Sequence, residues 1–439
     1  MQIRSLELHN FRNYDRVSLQ FNEKLNFFIG ENASGKTSLL EAIAYFSLGQ
    51  SFRPATDFDL IRQGENYFFI RSDIVDRNDE TTTFEIGVEV GAVTKKKIKR
   101  NHQVLKKTSA MIGSLVCVVF TPDDLALVQA GHKERRSYID YILGALDGEY
   151  LESLVRFNRA LRQRNELLKN IQSNRARIDD LSVWNQMFAE EAVLIQHKRH
   201  YFLRRFEPVV LESVRRISDL KDAVSIQLST TIDTTQNQSE SLFSDENNHD
   251  TANFYTGTNL VDEMKASIHA DTLRKSKDQL LDQLYSIRFQ EVKAGHSLIG
   301  PHRDKIFFLD TAGQEVSNRF SQGQKRTLAL SLKVAQFYFL KDHIGKPPVL
   351  LVDDVLHELD WQRRRAFLEV LNDCGQAFFT MPSLKSDDEL FSGFVSKQIF
   401  IVKDGRVTNR SDAEEHNGLE ADRTSAHADT NSIADWQAN

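Results

Sequence analysis

The order of apolar and polar residues predicts that the chain opens with strands and then enters a helix through a loop. Two short alternating strands, Ile3–Leu8 and Val17–Phe21, are joined by a turn-like segment at residues 10–14. The continuous apolar run Leu25–Ile29 is typical of a strand that is buried on both faces. A glycine-containing loop and the helical pattern Ser38–Leu48 follow it. A strand, a loop and a helix in this order are the context in which phosphate-binding loops occur.

The middle of the chain predicts two long helices. Leu154, Leu161 and Leu168 recur every seven residues, and apolar residues at 181, 188, 195 and 202 have the same spacing. Arg164 and Glu191 interrupt the two apolar seams. Because about ten polar residues separate the two sets, they predict an antiparallel helical hairpin.

Differences in composition predict how the chain is divided. Residues 1–111 and 289–409 are expected to form one α/β domain built from both ends of the chain, with a helical lobe, 112–288, inserted between them. Residues 230–258 are polar, acidic and poor in branched apolar residues, so they predict a disordered insertion. Residues 410–439 predict a disordered tail for the same reason.

The charge of the chain restricts how it could bind nucleic acid. The formal net charge of the 439 residues is −6, so any DNA binding must use local basic patches or surfaces assembled by dimerisation. One patch is a predicted basic turn at Lys95–Arg100, together with Lys106 and Lys107. The other is the hairpin region 151–205, which carries eleven basic and six acidic residues. Within it, three arginines at helical spacing are expected to share a face: Arg156, Arg159 and Arg162.

Cysteine usage and hydropathy predict a soluble cytoplasmic protein. The two cysteines, Cys117 and Cys374, belong to no CxxC or histidine-rich cluster, which argues against a disulfide framework or a zinc site. The N-terminal residues lack the apolar core of a signal peptide. No run of 18 apolar residues occurs, so a membrane span is not expected.

A phosphate-binding motif lies between the buried strand and the first helix. The pattern GxxxxGK[ST] is matched in full by residues 30–37, called the phosphate loop below. Its glycines allow backbone N–H groups to surround phosphates, Lys36 is expected to reach the β- and γ-phosphates, and the Thr37 hydroxyl to bind Mg²⁺. The sequence therefore predicts ATP and Mg²⁺ as cofactors. The candidate nucleotide-binding residues here are Gly30, Glu31, Asn32, Ala33, Ser34, Gly35, Lys36, Thr37 and Ser38.

A second motif is an apolar strand that ends in two carboxylates. Val349–Val352 is followed by Asp353 and Asp354. Alone, such a pattern is also compatible with a buried strand that ends in a solvated acidic turn. Beside a phosphate loop it predicts catalysis, with Asp353 holding Mg²⁺ and Asp354 orienting and deprotonating the attacking water.

A third motif, Phe320–Thr327 (FSQGQKRT), precedes the helical stretch Leu328–Leu340 and is called the signature segment below. Ser321 can cap that helix, and Gly323 leaves the backbone open to an anion. Taken alone, the segment is only the beginning of a helix. Its position just before the acidic strand favours a functional interpretation.

Together these motifs resemble the RecF family of bacterial DNA replication and repair proteins, whose ATPase heads are related to those of SMC and ABC-type proteins. The resemblance covers about residues 1–230 and 260–407. It implies an α/β P-loop ATPase head with a short helical arm in place of a long coiled coil. The segments that carry it are NFRNY, GENASGKTSLLEAI, SFR, FTPDDLALV, RRSYID, LVRFNRALRQRN, GPHRD, FSQGQKRTLALSLK and LLVDDVLHELD.

The resemblance also implies an ATP site shared by two copies of the chain. Ser321, Gly323 and Gln324 of one copy are expected to contact the γ-phosphate held by the phosphate loop of the other. By the same resemblance Asp353 and Asp354 are the catalytic carboxylates, and Lys36 assists them. Asp360 is expected in a loop that meets the opposite subunit, and Arg12 is a candidate nucleotide contact.

Some residues depart from related ATPases. Gln322 stands where an ABC-type signature carries glycine, which argues against a transporter ATPase. Asp354 replaces the usual catalytic glutamate, and its shorter reach predicts slow hydrolysis. After the strand Gln376–Phe379 the chain continues with Thr380 and has no histidine at the switch position, and no Q-loop glutamine can be identified. The roles of His302 and Arg303, in the GPHRD turn, stay open between a site and a satisfied loop pair.

The function that the resemblance implies is an ATP-dependent clamp in recombinational repair of DNA gaps, replication recovery and the SOS response. The expected partners are single- and double-stranded DNA, bound without sequence preference, and a second copy of the chain. RecO and RecR mediators and RecA are further expected partners, and the expected location is the cytoplasmic nucleoid. The alternatives are a binding scaffold in which ATP only holds the dimer together, a transporter ATPase and an SMC-like structural protein.

Overall fold

The computed structural model describes residues 1–76, 78–91, 94–217, 224–232, 260–356, 359–383 and 396–409. The tail 410–439 and all of the predicted insertion except 230–232 lie outside these ranges. The chain forms two compact units. Unit 1 comprises Met1–Thr121, Pro348–Glu358 and Asp373–Asn439, and unit 2 comprises Pro122–Pro347 and Leu359–Asn372.

The unit boundaries differ from the predicted domain boundaries near residues 112 and 289. Cys117–Phe120 is a strand of unit 1 because all four of its residues are buried and it pairs in parallel with Val349–Asp353. Residues 289–347, predicted as part of the α/β domain, belong to unit 2.

A six-stranded sheet forms the centre of unit 1. The strands, in order of neighbours, are β15 (Arg406–Asn409), β14 (Lys397–Lys403), β4 (Leu25–Ile29), β13 (Ala377–Met381), β12 (Val349–Asp353) and β9 (Cys117–Phe120). Strand β4 pairs in parallel with β13 and β14, and Phe27 and Phe28 are fully buried. The predicted buried strand is confirmed. Because the strands next to β4 are parallel to it, their carboxyl ends meet where helix α1 (Lys36–Leu48) begins.

A second sheet of unit 1 is antiparallel throughout. Its strands run in the order β3, β2, β5, β6, β7 and β8, and β1 pairs with β5. Their bounds are β1 (Gln2–Ile3), β2 (Ser5–Phe11), β3 (Tyr14–Gln20), β5 (Tyr67–Val75), β6 (Thr81–Glu89), β7 (Lys95–Arg100) and β8 (Gln103–Val104).

The basic turn predicted at Lys95–Arg100 is wrong, since this segment is strand β7. Ile98 is buried, and the neighbouring side chain on the same face, Lys96, forms an ion pair with Asp57. Alternation along the strand puts Lys95, Lys97 and Lys99 on the other face.

Unit 2 is mostly helical. Its helices are α2 (Ala126–Gln129), α3 (His132–Leu146), α4 (Gly148–Gln172), α5 (Leu181–Ile217), α6 (Leu260–Ser267), α7 (Ala270–Ser286), α8 (Arg288–Ala294), α9 (Val316–Arg319), α10 (Gln322–Ile344) and α11 (Trp361–Asp373). Strands β10 (Ser225–Ser229) and β11 (Lys305–Leu309) form an antiparallel pair. Across the ranges that the structure describes, none of the helices has the length and apolarity needed to span a membrane.

The predicted helical hairpin is confirmed by the bonds between α4 and α5. Arg156 contacts Glu191, and Arg164 contacts Asn185, so positions fall along α5 as they rise along α4. This order of contacts identifies the two helices as antiparallel.

The residue that interrupts the α4 seam anchors a third helix. The Arg164 side chain is fully buried and donates to Glu291 of α8 at 2.5 and 3.1 Å. It also donates to the Ser297 hydroxyl at 2.6 Å. A buried guanidinium requires such a full set of acceptors, because an unpaired buried charge is strongly destabilising.

We expect Arg164→Ala and Glu291→Ala each to lower the free energy of unfolding by about 3–5 kcal/mol, because each leaves the other charge buried and unpaired. Urea unfolding followed by circular dichroism measures the loss. Arg162→Ala, an exposed position on the same helix, is the control and should change stability by less than about 0.5 kcal/mol. If the double variant loses as much free energy of unfolding as the two single variants together, Arg164 and Glu291 do not stabilise the fold as a pair.

Candidate nucleotide-binding site

A cleft of about 820 Å³ lies in unit 1 where the phosphate loop meets the ends of β12 and β13. Six of the nine nucleotide-binding residues predicted at positions 30–38 line it: Asn32, Ala33, Gly35, Lys36, Thr37 and Ser38. The predicted residues Arg12, Asp353 and Asp354 line it as well. The structure therefore brings together the phosphate loop, the two carboxylates and the N-terminal turn.

The phosphate loop requires glycine at two positions, Gly35 for its backbone conformation and the close approach of neighbouring side chains, and Gly30 for lack of space. Gly35 has φ +114°, and a Cβ there would lie 2.5 Å from Asn13 Nδ2 and 2.6 Å from the Tyr14 hydroxyl. A Cβ on Gly30 would lie 2.1 Å from the Val402 carbonyl oxygen. The loop is therefore packed closely against the turn before β3 and against β14, which explains the two glycines of the motif.

The turn between β2 and β3 braces this loop. Asn13 Nδ2 donates to the Ser34 carbonyl at 3.1 Å, and the Tyr14 hydroxyl donates to the Gly35 carbonyl at 3.0 Å. These two bonds fix the direction of consecutive peptide groups in the loop. Sequence reasoning selected Arg12 from this turn but missed its two neighbours, since no local spacing connects them with the phosphate loop.

Lys36 is held at the base of the loop. Its Nζ donates to the carbonyls of Gly30 and Glu31 at 2.7 and 2.8 Å. Burial lowers the pKa of Lys36, while the negative charges of Asp354 and Asp353 act in the opposite direction. An ammonium group has three N–H donors, so one donor remains for an anion such as a phosphate oxygen.

Asp353 joins the acidic strand to the phosphate loop. Its Oδ1 accepts from the Thr37 hydroxyl at 2.8 Å and from the Thr380 hydroxyl at 2.7 Å. Burial raises the pKa of Asp353, and both hydroxyls act against this change. A carboxylate beside a threonine hydroxyl supplies the oxygen ligands that Mg²⁺ prefers. Thr380, noted in the sequence only for the absence of histidine, therefore orients the predicted metal-binding carboxylate.

Asp354 combines backbone strain with an unsatisfied side chain. Its φ is +54°, a conformation that is costly for a residue other than glycine. Its buried Oδ1 has no hydrogen-bond partner among the described residues. Strain and an unpaired buried oxygen both cost stability, and such features concentrate at functional sites.

Arg12 is fixed by a buried carboxylate. Its Nε and Nη2 donate to Glu41 of α1 at 2.8 and 2.7 Å, and its Nη1 donates to the Asp59 carbonyl at 2.8 Å. Glu41 is fully buried and also accepts from the Ser51 hydroxyl. The sequence did not indicate Glu41. Four further residues that line the cleft were also not indicated: Arg53, Ile61, Arg62 and Gln63.

The signature segment belongs to unit 2 and does not line this cleft. The predicted cap is confirmed, because the Ser321 hydroxyl accepts from the Gln324 N–H at 3.3 Å. In return, Gln324 Oε1 accepts from the Ser321 N–H at 2.9 Å. Ser321 and Gly323 are exposed, so the start of α10 presents these groups to solvent.

His302 and Arg303 contact the same carbonyl. His302 Nε2 lies 3.3 Å from the Ser297 carbonyl oxygen, and Arg303 donates to that oxygen at 3.2 and 3.3 Å. Burial lowers the pKa of His302 to about 4, so the ring is neutral at pH 7. Both side chains therefore bind within their own loop, while the buried His302 Nδ1 has no hydrogen-bond partner among the described residues.

Comparison with known proteins places the chain in a family. The family model for the RecF/RecN/SMC N terminal domain matches residues 2–387. A DNA replication and repair protein RecF from Leptospira interrogans (serovar Lai, strain 56601) is 33% identical over 408 residues, which are 93% of this chain and 99% of that protein. The chain belongs to the RecF family.

Other RecF proteins support the same assignment. RecF of Symbiobacterium thermophilum is 32% identical over 387 residues, or 88% of this chain and 92% of that protein. A solved structure described as the recombination mediator protein RecF-ATP in the RecFOR pathway has a TM-score of 0.77. It is 28% identical and covers 93% of this chain and 97% of its own. The predicted α/β ATPase-head fold of the RecF family is confirmed.

We expect Thr380→Val to lower the rate of ATP turnover about tenfold, because Asp353 would lose one of its two hydroxyl hydrogen bonds. A hydrogen bond to a charged group contributes roughly 1.5–3 kcal/mol. The Mg²⁺ concentration for half-maximal turnover should rise as well. Thr380→Ser keeps the hydroxyl and is the matched control. Equal turnover and Mg²⁺ dependence in Thr380→Val and wild type would show that Thr380 does not orient Asp353.

Proposed function

We propose that this chain is a weak, DNA-stimulated ATPase that acts as an ATP-dependent DNA-binding switch in the recombinational repair of DNA gaps and in replication recovery. The observation that carries the proposal is the strained backbone and unsatisfied Oδ1 of Asp354 in the same cleft as Lys36 and the Thr37–Asp353 pair. Membership of the RecF family gives this arrangement its biological context.

The residues of the cleft fit ATP and Mg²⁺. The phosphate loop would surround the phosphates, and Lys36 would give its remaining N–H to a phosphate oxygen. Thr37 and Asp353 would hold Mg²⁺, which neutralises phosphate charge during phosphoryl transfer.

Asp354 would orient the attacking water and accept its proton, producing ADP and phosphate. Its free Oδ1 suits this task, since no other described group competes for it. An aspartate reaches less far than a glutamate, which supports slow turnover and a role for hydrolysis as a timer of the switch.

The second half of the ATP site would come from another copy of the chain. Ser321, Gly323 and Gln324 stand at the start of α10, and the first two are exposed. The first turn of a long helix attracts anions, and here it would meet the γ-phosphate held by the partner copy. ATP binding would then produce a homodimer and hydrolysis would release it.

The decisive measurement is molecular mass in solution with and without ATP. We expect ATP to double the mass of wild type and to leave Lys36→Met and Ser321→Arg monomeric, because the first lacks the phosphate contact and the second blocks the signature segment. Asp354→Ala should remain dimeric after ATP addition, since it binds ATP but cannot hydrolyse it. If ATP leaves the molecular mass of wild type and of every variant unchanged, the proposed ATP-dependent dimer is refuted.

The rival in which ATP only holds a scaffold together makes a different prediction for Asp354. Under that alternative, Asp354→Ala would release phosphate at the wild-type rate. A transporter ATPase is disfavoured by Gln322, and an SMC-like structural protein by the length of the hairpin helices, 25 and 37 residues.

DNA binding is supported by local charge. Arg159 and Arg162 of α4 are exposed, whereas Arg156 of the same face is bound by Glu191 at 2.5 and 3.1 Å. On strand β7, Lys95 is exposed, and Lys97 and Lys99 share its face. These lysines and the two exposed arginines are the proposed phosphate contacts for single- and double-stranded DNA.

The proposed protein partners follow from the family. A solved relative is described as a recombination mediator of the RecFOR pathway. We therefore infer that RecO- and RecR-type mediators act with this chain at the nucleoid, and that together they help to load RecA.

Two arginines should carry more of the DNA affinity than their neighbour. We expect the double variant Arg159→Ala, Arg162→Ala to reduce the slope of log K against log salt for duplex DNA by up to about 1.8, since each phosphate contact contributes roughly 0.9. Arg156→Ala, whose charge is already compensated by Glu191, should change the slope far less. Fluorescence anisotropy over a salt series measures these slopes, and an equal effect of all three arginines would contradict the assignment.

A further inference from the structure

One arginine of unit 2 connects the signature segment with the loop that carries Asp360. Arg363 lies in the first turn of α11, and its Nη1 is paired with the Asp360 carboxylate. Its Nη2 donates to the Gly323 carbonyl at 2.8 Å and to the Thr327 hydroxyl at 2.7 Å. Its Nε donates to the same hydroxyl at 2.9 Å. A single side chain therefore binds two motifs that are separated by more than thirty residues of sequence.

The arrangement is specific to arginine. A guanidinium is planar and presents its donors in a fixed fork, so it can hold a carboxylate on one side and a carbonyl on the other. The Thr327 hydroxyl completes the set, because it donates in turn to the Gly323 carbonyl at 3.0 Å. A lysine ammonium in this place could serve some of these acceptors but could not hold the same geometry.

Asp360 is fixed twice. Besides its pairing with the Arg363 guanidinium, its Oδ1 accepts from the Arg363 backbone N–H at 3.0 Å. Its carbonyl accepts from the Arg364 N–H at 2.9 Å. The carboxylate therefore caps the start of α11 and also binds the side chain that reaches the signature segment.

We propose that Arg363 is a positioning residue that couples the signature segment to the Asp360 loop within one copy of the chain. When the γ-phosphate of a partner copy meets Ser321 and Gly323, Arg363 transmits any change in the Gly323 peptide to Asp360. The inference rests on the proposed ATP-dependent dimer. To that proposal it adds Arg363 as the residue through which the signature segment and the Asp360 loop change their positions together.

The neighbouring arginines do not share this geometry. Arg364 Nε donates to the Leu359 carbonyl at 3.0 Å, and Arg365 is exposed. Arg365→Ala is therefore a matched control with the same chemistry on the same helix. The bonds that hold the phosphate loop, as described above, all join residues of unit 1, so changes at Arg363 should leave nucleotide binding by a single copy intact.

The test compares wild type, Arg363→Ala, Arg363→Lys and Arg365→Ala in two measurements. Affinity for a fluorescent ATP analogue is measured at protein concentrations too low for association, and the ATP-dependent dimerisation constant is measured by analytical ultracentrifugation. We expect Arg363→Ala to bind the analogue like wild type but to dimerise about tenfold more weakly or worse, because it loses several charge-assisted bonds. Arg363→Lys should recover part of the loss, and Arg365→Ala should match wild type in both measurements.

A double-mutant cycle separates coupling from simple destabilisation. Asp360→Asn keeps the cap of α11 but removes the charge, so its effect on dimerisation should not add to that of Arg363→Ala. If Arg363→Ala does not fold, the same cycle is run with Arg363→Lys, which keeps charge and helix propensity. Additive effects in the cycle would overturn the coupling.

The outcomes distinguish this inference from the function on which it rests. If wild type stays monomeric in ATP, the proposed switch fails and the inference with it. If wild type dimerises and both Arg363 variants dimerise with the same constant, only the positioning role of Arg363 is overturned.

Discussion

The nucleotide cleft depends on one buried carboxylate oxygen. Asp353 Oδ1 accepts hydroxyl hydrogen bonds from the first turn of α1 and from the end of β13, so three distant segments converge on a single atom. Burial favours the neutral acid, and the two hydroxyls favour the charged form. The bonds that join the three segments therefore also oppose the neutralising effect of burial on this carboxylate.

The local parts of this site could be predicted from the sequence. The spacing of glycine, lysine and threonine specifies a phosphate loop, and the apolar run before it specifies a buried strand, because both depend on neighbouring residues. The cap formed by Ser321 and Gln324 is also local, since the two residues are three positions apart. The two hairpin helices could be predicted for the same reason, since the seven-residue spacing of apolar residues is a local pattern.

Contacts between distant residues could not be predicted in this way. Nothing in the spacing of Asn13 or Thr380 relates them to the loop or the carboxylate that they contact. The burial and the ion-pair partner of an arginine also depend on residues that are distant in the sequence. The sequence does not distinguish the roles of three arginines. Arg156 pairs with Glu191 at the surface, and Arg164 is buried in an ion pair with Glu291. Arg363 pairs with Asp360 and connects two motifs. The error at β7 has a related cause, because a run of lysines suggests a turn until its cross-strand partners are known.

The position of β4 has a consequence for how the protein is made. This strand precedes the phosphate loop near the N-terminus, but both of its neighbours, β13 and β14, come roughly 350 residues later. At synthesis rates of about 5–20 residues per second, a ribosome needs on the order of 20–70 s to supply them. During that interval the apolar segment LNFFI has no partner on either edge. Strand β4 therefore waits for its sheet neighbours during most of this interval, and the nucleotide pocket can form only after Asp353 and Thr380 have been synthesised.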